Sequence, residues 1–147
     1  MKQNTLLSRF TSWLVSPAVF GSISKNFPGE WRLYEYYVDE KEGLLHFLPE
    51  DLKCENQMMQ LIFSEDNFVV KAQLPVSLIQ NLKSGAWSVA KNFITFVDSA
   101  NFRNNIEFQF AFEKGNLKLL KKDERGMIEF FGFFKPIDGS QQSIKNS

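Results

Sequence analysis

The chain has 147 residues, 44% of them hydrophobic and 23% charged, which is enough for one domain with a sizeable core and excludes a disordered chain. Seventeen basic residues balance seventeen acidic ones, so there is no basic excess of the kind that attracts nucleic acid. Cys54 is the one cysteine, which excludes an intramolecular disulfide, and no apolar run approaches the roughly 20 residues of a membrane-spanning helix.

Residues 1–27 read as a helical segment and lead-in. Leu6, Phe10, Trp13 and Leu14 recur at helical spacing, which predicts an amphipathic helix docking on the domain. Pro17 stops it after Val15. Arg9 interrupts the apolar stretch and no small-x-small cleavage site follows, so a cytoplasmic location is expected rather than secretion.

Strands follow. "GEWRLYEYYV" (29–38) is an aromatic-rich strand, "DEKEG" (39–43) a turn, and "LLHFL" (44–48) a short strand ended by Pro49. Residues 57–73 form a hairpin around "SEDN", and 74–85 a longer connection with one helical turn. "AWSVA" and "FITFVD" flank Lys91-Asn92, "NIEFQFAFE" and "NLKLLKK" flank Lys114-Gly115, and "DERG" leads into "MIEFFGFF". Residues 137–147 are a polar tail. Turns this short impose antiparallel neighbours. The prediction is a mainly β domain over 28–136, an up-and-down eight-stranded barrel closed to hide its edges, with an open sandwich as the alternative.

Alternation assigns faces. Ile106, Phe108, Phe110 and Phe112 share one face and pair with Leu117 and Leu119, and the break at Leu119-Leu120 suggests a bulge. If Trp31 points inward, Leu33, Glu35 and Tyr37 do too. A carboxylate there requires hydration at the barrel mouth, a bulge that turns it out, or a ligand. The last strand is apolar on both faces: Met127, Phe131 and Phe133 lie on one, Ile128, Phe130 and Phe134 on the other. Lys114, Lys118, Lys121, Lys122 and Arg125 read as a solvated face or guarded edge.

Gly29-Glu30-Trp31 at the head of the first long strand, a second Gly-x-Trp at 85–87, and the strand order ending in "GMIEFFGFF" resemble the bacterial lipocalin-like domain proteins of the calycin superfamily over residues 28–136. Lys135 stands where lipocalins carry an arginine over the tryptophan, and "EKGN" where they carry a Thr-Asp-Tyr-like turn. The resemblance implies an eight-stranded calycin barrel that binds a small hydrophobic molecule without catalysis. Trp31 would plug one end. Trp31, Leu33, Glu35, Tyr37, Trp87, Thr95, Phe108, Phe110 and Phe112 are the candidate cavity residues, with Tyr37 and Thr95 at the polar end of the ligand. A barrel of this width is alternatively filled by its own side chains. It would then serve as an interaction module, with self-association through the last strand.

Little else carries chemistry. His46 is the sole histidine. It has neither the neighbours of a metal site nor a nucleophile pattern, and reads as a surface or partly satisfied histidine in a loop or edge strand. No enzyme activity, metal or cofactor is expected.

Overall fold

The computed structural model describes residues 24–101 and 103–137. The helix expected around Leu6–Leu14 and the polar tail lie outside them. After a short 3-10 turn at Ser24–Asn26 come β1 (Gly29–Glu40), β2 (Gly43–Phe47), α1 (Pro49–Cys54), β3 (Met58–Phe63), β4 (Asn67–Gln73), α2 (Ser77–Gln80) and β5 (Ser84–Ala90). Then follow β6 (Phe93–Asp98), β7 (Ile106–Glu113), β8 (Asn116–Lys122) and β9 (Ile128–Pro136). The expected strands and tight turns are present. Lys114 and Gly115 both hold positive φ (54° and 82°), the backbone that matches the twist of a two-residue hairpin.

All strand pairs are antiparallel, and β9 closes on β1. β1 and β3–β9 thus form the closed eight-stranded antiparallel barrel. β2 is a ninth, extra strand. It pairs with Tyr36–Glu40 on the edge of β1 that β3 occupies at Gly29–Arg32. Between β2 and β3 the chain leaves that edge to form α1, a helix the sequence reading did not foresee. Pro49 starts it, and the Asp51 carboxylate accepts the Leu48 N–H at 2.9 Å. Leu52 is its buried residue.

One irregularity in β1 reassigns half of its side chains. Against β9 the register slips between Leu33 and Glu35, leaving Tyr34 as the bulged residue. Trp31 and Leu33 point into the main core, as do Tyr36 and Val38 beyond the bulge. Glu35 and Tyr37 are therefore turned outward, contrary to the unbroken alternation that placed them in the interior. Tyr37 instead joins a second apolar cluster with Leu120, Ile128, Phe131 and Phe133 on the outer face of β8, β9 and β1.

The last strand divides accordingly. Phe130 and Phe134 face the main core and Phe131 and Phe133 the outer cluster. A second register shift, opposite Lys121/Lys122, sends Ile128 outward with the latter pair. No bulge occurs at Leu119-Leu120: the pairing with β7 is continuous, and the two leucines go to opposite clusters. Both faces of β9 are buried from Ile128 to Phe134 apart from Glu129, and both its edges are paired. The self-association expected through β9 thus finds neither an open edge nor an exposed apolar face there. Lys118, expected on a solvated face, is buried on β8 and paired with the Glu113 carboxylate.

Candidate functional site

The two ends of the barrel differ. At the end where β1 begins, the interior is filled by rings. Phe27, just ahead of β1, has its ring centroid 4.9–5.4 Å from those of Phe63, Trp87, Phe110 and Phe112. Trp31 packs on Phe112 and donates its indole N–H to the Phe27 carbonyl at 2.9 Å. The Trp87 indole N–H is held by the Ser64 carbonyl at 3.0 Å. These geometries are the edge-to-face and tilted contacts that aromatic quadrupoles favour. Ring contacts continue up the barrel from Phe63 to Phe96, Phe108 and Phe130, and reach Tyr36 and Phe47 at the other end.

At that other end the barrel opens. The β1–β2 hairpin runs past the barrel wall, and its inner face carries Tyr36 and Val38 opposite Phe47 and Leu45. The segment 75–81 with α2 stands across from it. Between them lies a cleft of about 540 Å³, within the 300–1,000 Å³ range of small-molecule sites. Tyr36 and Phe47, stacked at 4.6 Å and 9°, belong to its hairpin wall. Val76 and Leu78 face them from the other wall, and Asp39, Glu40 and Glu129 are the acidic residues of the lining. Leu45, 43% exposed, is exposed because it lines this cleft.

Tyr36 is fully buried and donates its hydroxyl to Gln57 Oε1 at 2.6 Å. Burial, and secondarily the Glu55 charge, push the phenol well above the ordinary tyrosine range. It is therefore a neutral, fixed wall of the cleft. Asp39 is fixed as well, because its Oδ2 accepts the Ile128 N–H at 2.7 Å and ties the hairpin to the head of β9.

The outer face of the same hairpin holds a histidine–carboxylate pair. His46 Nε2 lies 2.6 Å from Glu35 Oε2, and the His46 ring stacks on Tyr37 at 4.0 Å and 7°. His46 is thus a half-buried, positioned residue, the partly satisfied arm of the expectation from sequence and not the surface one. The Tyr34 bulge makes the pair, because it brings Glu35 to the face where β2 presents His46. The pair does not line the cleft, which lies on the inner face.

The structure gathers Trp31, Leu33, Trp87, Phe108, Phe110 and Phe112 in the main core. There they pack against one another and do not line the cleft. Glu35 and Tyr37 lie on the outer face. Thr95 also points outward, since its neighbours Ile94 and Phe96 are both in the core. The cleft residues Val38, Leu45, Phe47, Val76 and Leu78 escaped the sequence reading. Their signal was weak: two apolar residues in "GLLHF" opposite a strand end, and "PVSL" in a connection read as carrying one helical turn, which α2 supplies. Among the described residues, no group of three or more His, Cys, Asp or Glu side chains is placed to hold a metal ion, and no helix is long and apolar enough to cross a membrane. No protein-family model, curated protein or solved structure matches the chain.

Proposed function

We propose that the protein binds a small hydrophobic molecule without catalysis, and that the molecule occupies the cleft between the β1–β2 hairpin and the 75–81 segment. The observation that carries this reading is a 540 Å³ cleft whose walls include Tyr36, Val38, Leu45, Phe47, Val76 and Leu78. Apolar surface held open to water at one end of an otherwise ring-filled barrel is the usual form of a ligand site. The closed eight-stranded barrel is compatible with the calycin resemblance, which favours the same role. The site proposed lies at the mouth rather than in the packed interior where that resemblance put it.

The test uses the neutral fluorophore N-phenyl-1-naphthylamine. Its emission is expected to rise on mixing with the protein. Leu45→Trp with Leu78→Trp, which narrows the cleft from both walls, is expected to weaken binding about tenfold or more, a loss of roughly 1.4 kcal/mol. Binding unchanged in that variant would sink the cleft as the site. No binding at all would favour the second reading, a ring-filled barrel serving as an interaction module, which the close-packed Phe27 end independently supports.

A further inference from the structure

Resting on the cleft as the binding site, we propose that its occupant is an amphiphile with an apolar body and a protonated amine at one end. Charge complementarity carries this. Two acidic residues whose side chains are not taken up by the backbone, Glu40 and Glu129, are among those lining the cleft, and no lysine, arginine or histidine is. The chain as a whole is neutral, so this local excess is not a reflection of an acidic surface.

The placement of the carboxylates fits one end of a ligand. Tyr36 and Phe47 form an opposed pair on the hairpin, and Val38 and Leu45 the next, so the apolar wall is continuous over two pairs. Glu40 follows Val38 by two residues, on the same inner face at the rim, and is exposed. Asp39, between Val38 and Glu40 in the strand, turns its carboxylate to the Ile128 N–H instead. Glu129, exposed on β9, completes the rim and lies 3.7 Å from Lys121, with Arg125 lining the same surface hollow. Among the described residues, neither Asp39 nor Glu40 forms an ion pair. An alkyl or aromatic body against Leu45, Phe47 and Leu78 leaves an attached ammonium at these carboxylates while still touching water. It therefore avoids the desolvation cost that a fully buried ion would carry. A carboxylate head group in the same pose would face like charges.

Because the rim is hydrated, the expected preference is moderate, roughly three- to tenfold. The experiment displaces N-phenyl-1-naphthylamine from the full chain with decylamine, decanol and decanoate, which share one chain length and differ in head group. Decylamine is expected to displace at the lowest concentration and decanoate at the highest. Glu40→Gln with Glu129→Gln, both at exposed positions, is expected to bring the decylamine-to-decanol ratio towards one. Raising the salt concentration with the unaltered chain should narrow the same ratio through screening. Decanoate binding as well as decylamine, or a ratio insensitive to both the substitutions and salt, would overturn the proposal while leaving the cleft as a hydrophobic site. Failure of decanol and the fluorophore to bind at all would instead remove the binding reading on which it rests.

Discussion

At the scale of single residues, the glycines separate two physical requirements. Gly29 has φ of +128° and open space where a Cβ would stand, so its constraint is backbone conformation alone. Gly85 is constrained by space: a Cβ there would lie 1.8 Å from the Val97 carbonyl oxygen, a backbone atom of the paired strand. Gly132 lies between inward Phe130 and Phe134, and its Cβ would meet the Phe130 ring at 2.5 Å. A ring can shift where a backbone cannot. Gly132→Ala is therefore expected to cost about 1–3 kcal/mol, as overpacking does, whereas Gly85→Ala is expected to cost more or prevent folding. Urea unfolding of the two variants checks the order. Tyr36 gives a second prediction. Its folded pKa is raised above the unfolded value of about 10, so its contribution is fully present below pH ~10 and is lost as pH rises through the folded value. Tyr36→Phe removes the bond to Gln57 and is expected to be less stable by about 1 kcal/mol near neutrality. The difference should shrink as pH climbs beyond ~10, because phenylalanine carries no proton to lose. Unfolding curves at neutral and alkaline pH measure it.

At the scale of elements, the Tyr34 bulge shows where sequence is legible and where it is not. Strand positions and turns were readable because alternation and the Lys-Asn and Lys-Gly pairs mark them locally. "WRLYEYYV" has apolar or aromatic residues on both parities beyond Leu33, so nothing local in the sequence fixes where the inward set changes phase. The bulge is imposed by β9, which supplies outward Phe131 and Phe133 for Tyr37 to join. α1 was missed for a related reason: its six residues are too few for helical periodicity to register. The inward face of six cavity candidates, Trp31, Leu33, Trp87, Phe108, Phe110 and Phe112, was legible because their strands are one-sided or carry the Gly-x-Trp pattern, but they pack as core and do not line the cleft. The cleft was not, because its two walls are brought together only by the closed topology. Deleting Tyr34 tests the bulge directly. Without it, plain alternation from inward Leu33 puts Glu35 outward and Tyr36 inward, the faces they hold now, opposite unchanged β9 partners. The deletion is therefore expected to retain cooperative thermal unfolding, its cost being the packing of Tyr34 against Phe133. Loss of cooperative unfolding in the deletion but not in Tyr34→Ala would show instead that the bulged backbone is itself required.

At the scale of the whole molecule, the barrel has one sheet but unequal support around it. The β8–β9–β1 sector is sandwiched between the main core and the outer cluster, so its strands are buried on both faces. β2 pairs only with β1, over five residues that are exposed or half-buried throughout, and it continues into a six-residue helix with one buried side chain. Local opening free energy follows buried apolar contact and protected backbone bonding. Native-state hydrogen exchange is therefore expected to find amides of Gly43–Cys54 opening well below the global unfolding free energy, and those of Phe130–Phe134 opening only with the whole. The hairpin that opens first is also one wall of the cleft. A molecule bound against Leu45, Phe47 and Leu78 joins that wall to the 75–81 segment, so it should slow exchange at the hairpin while leaving β8 and β9 unchanged until its mass-action stabilisation of the whole fold is reached. Uniform exchange around the barrel would show that the sector differences in burial carry no energetic weight. Selective slowing by N-phenyl-1-naphthylamine in β7 or β8 alone would place the bound molecule among the packed rings and not at the mouth.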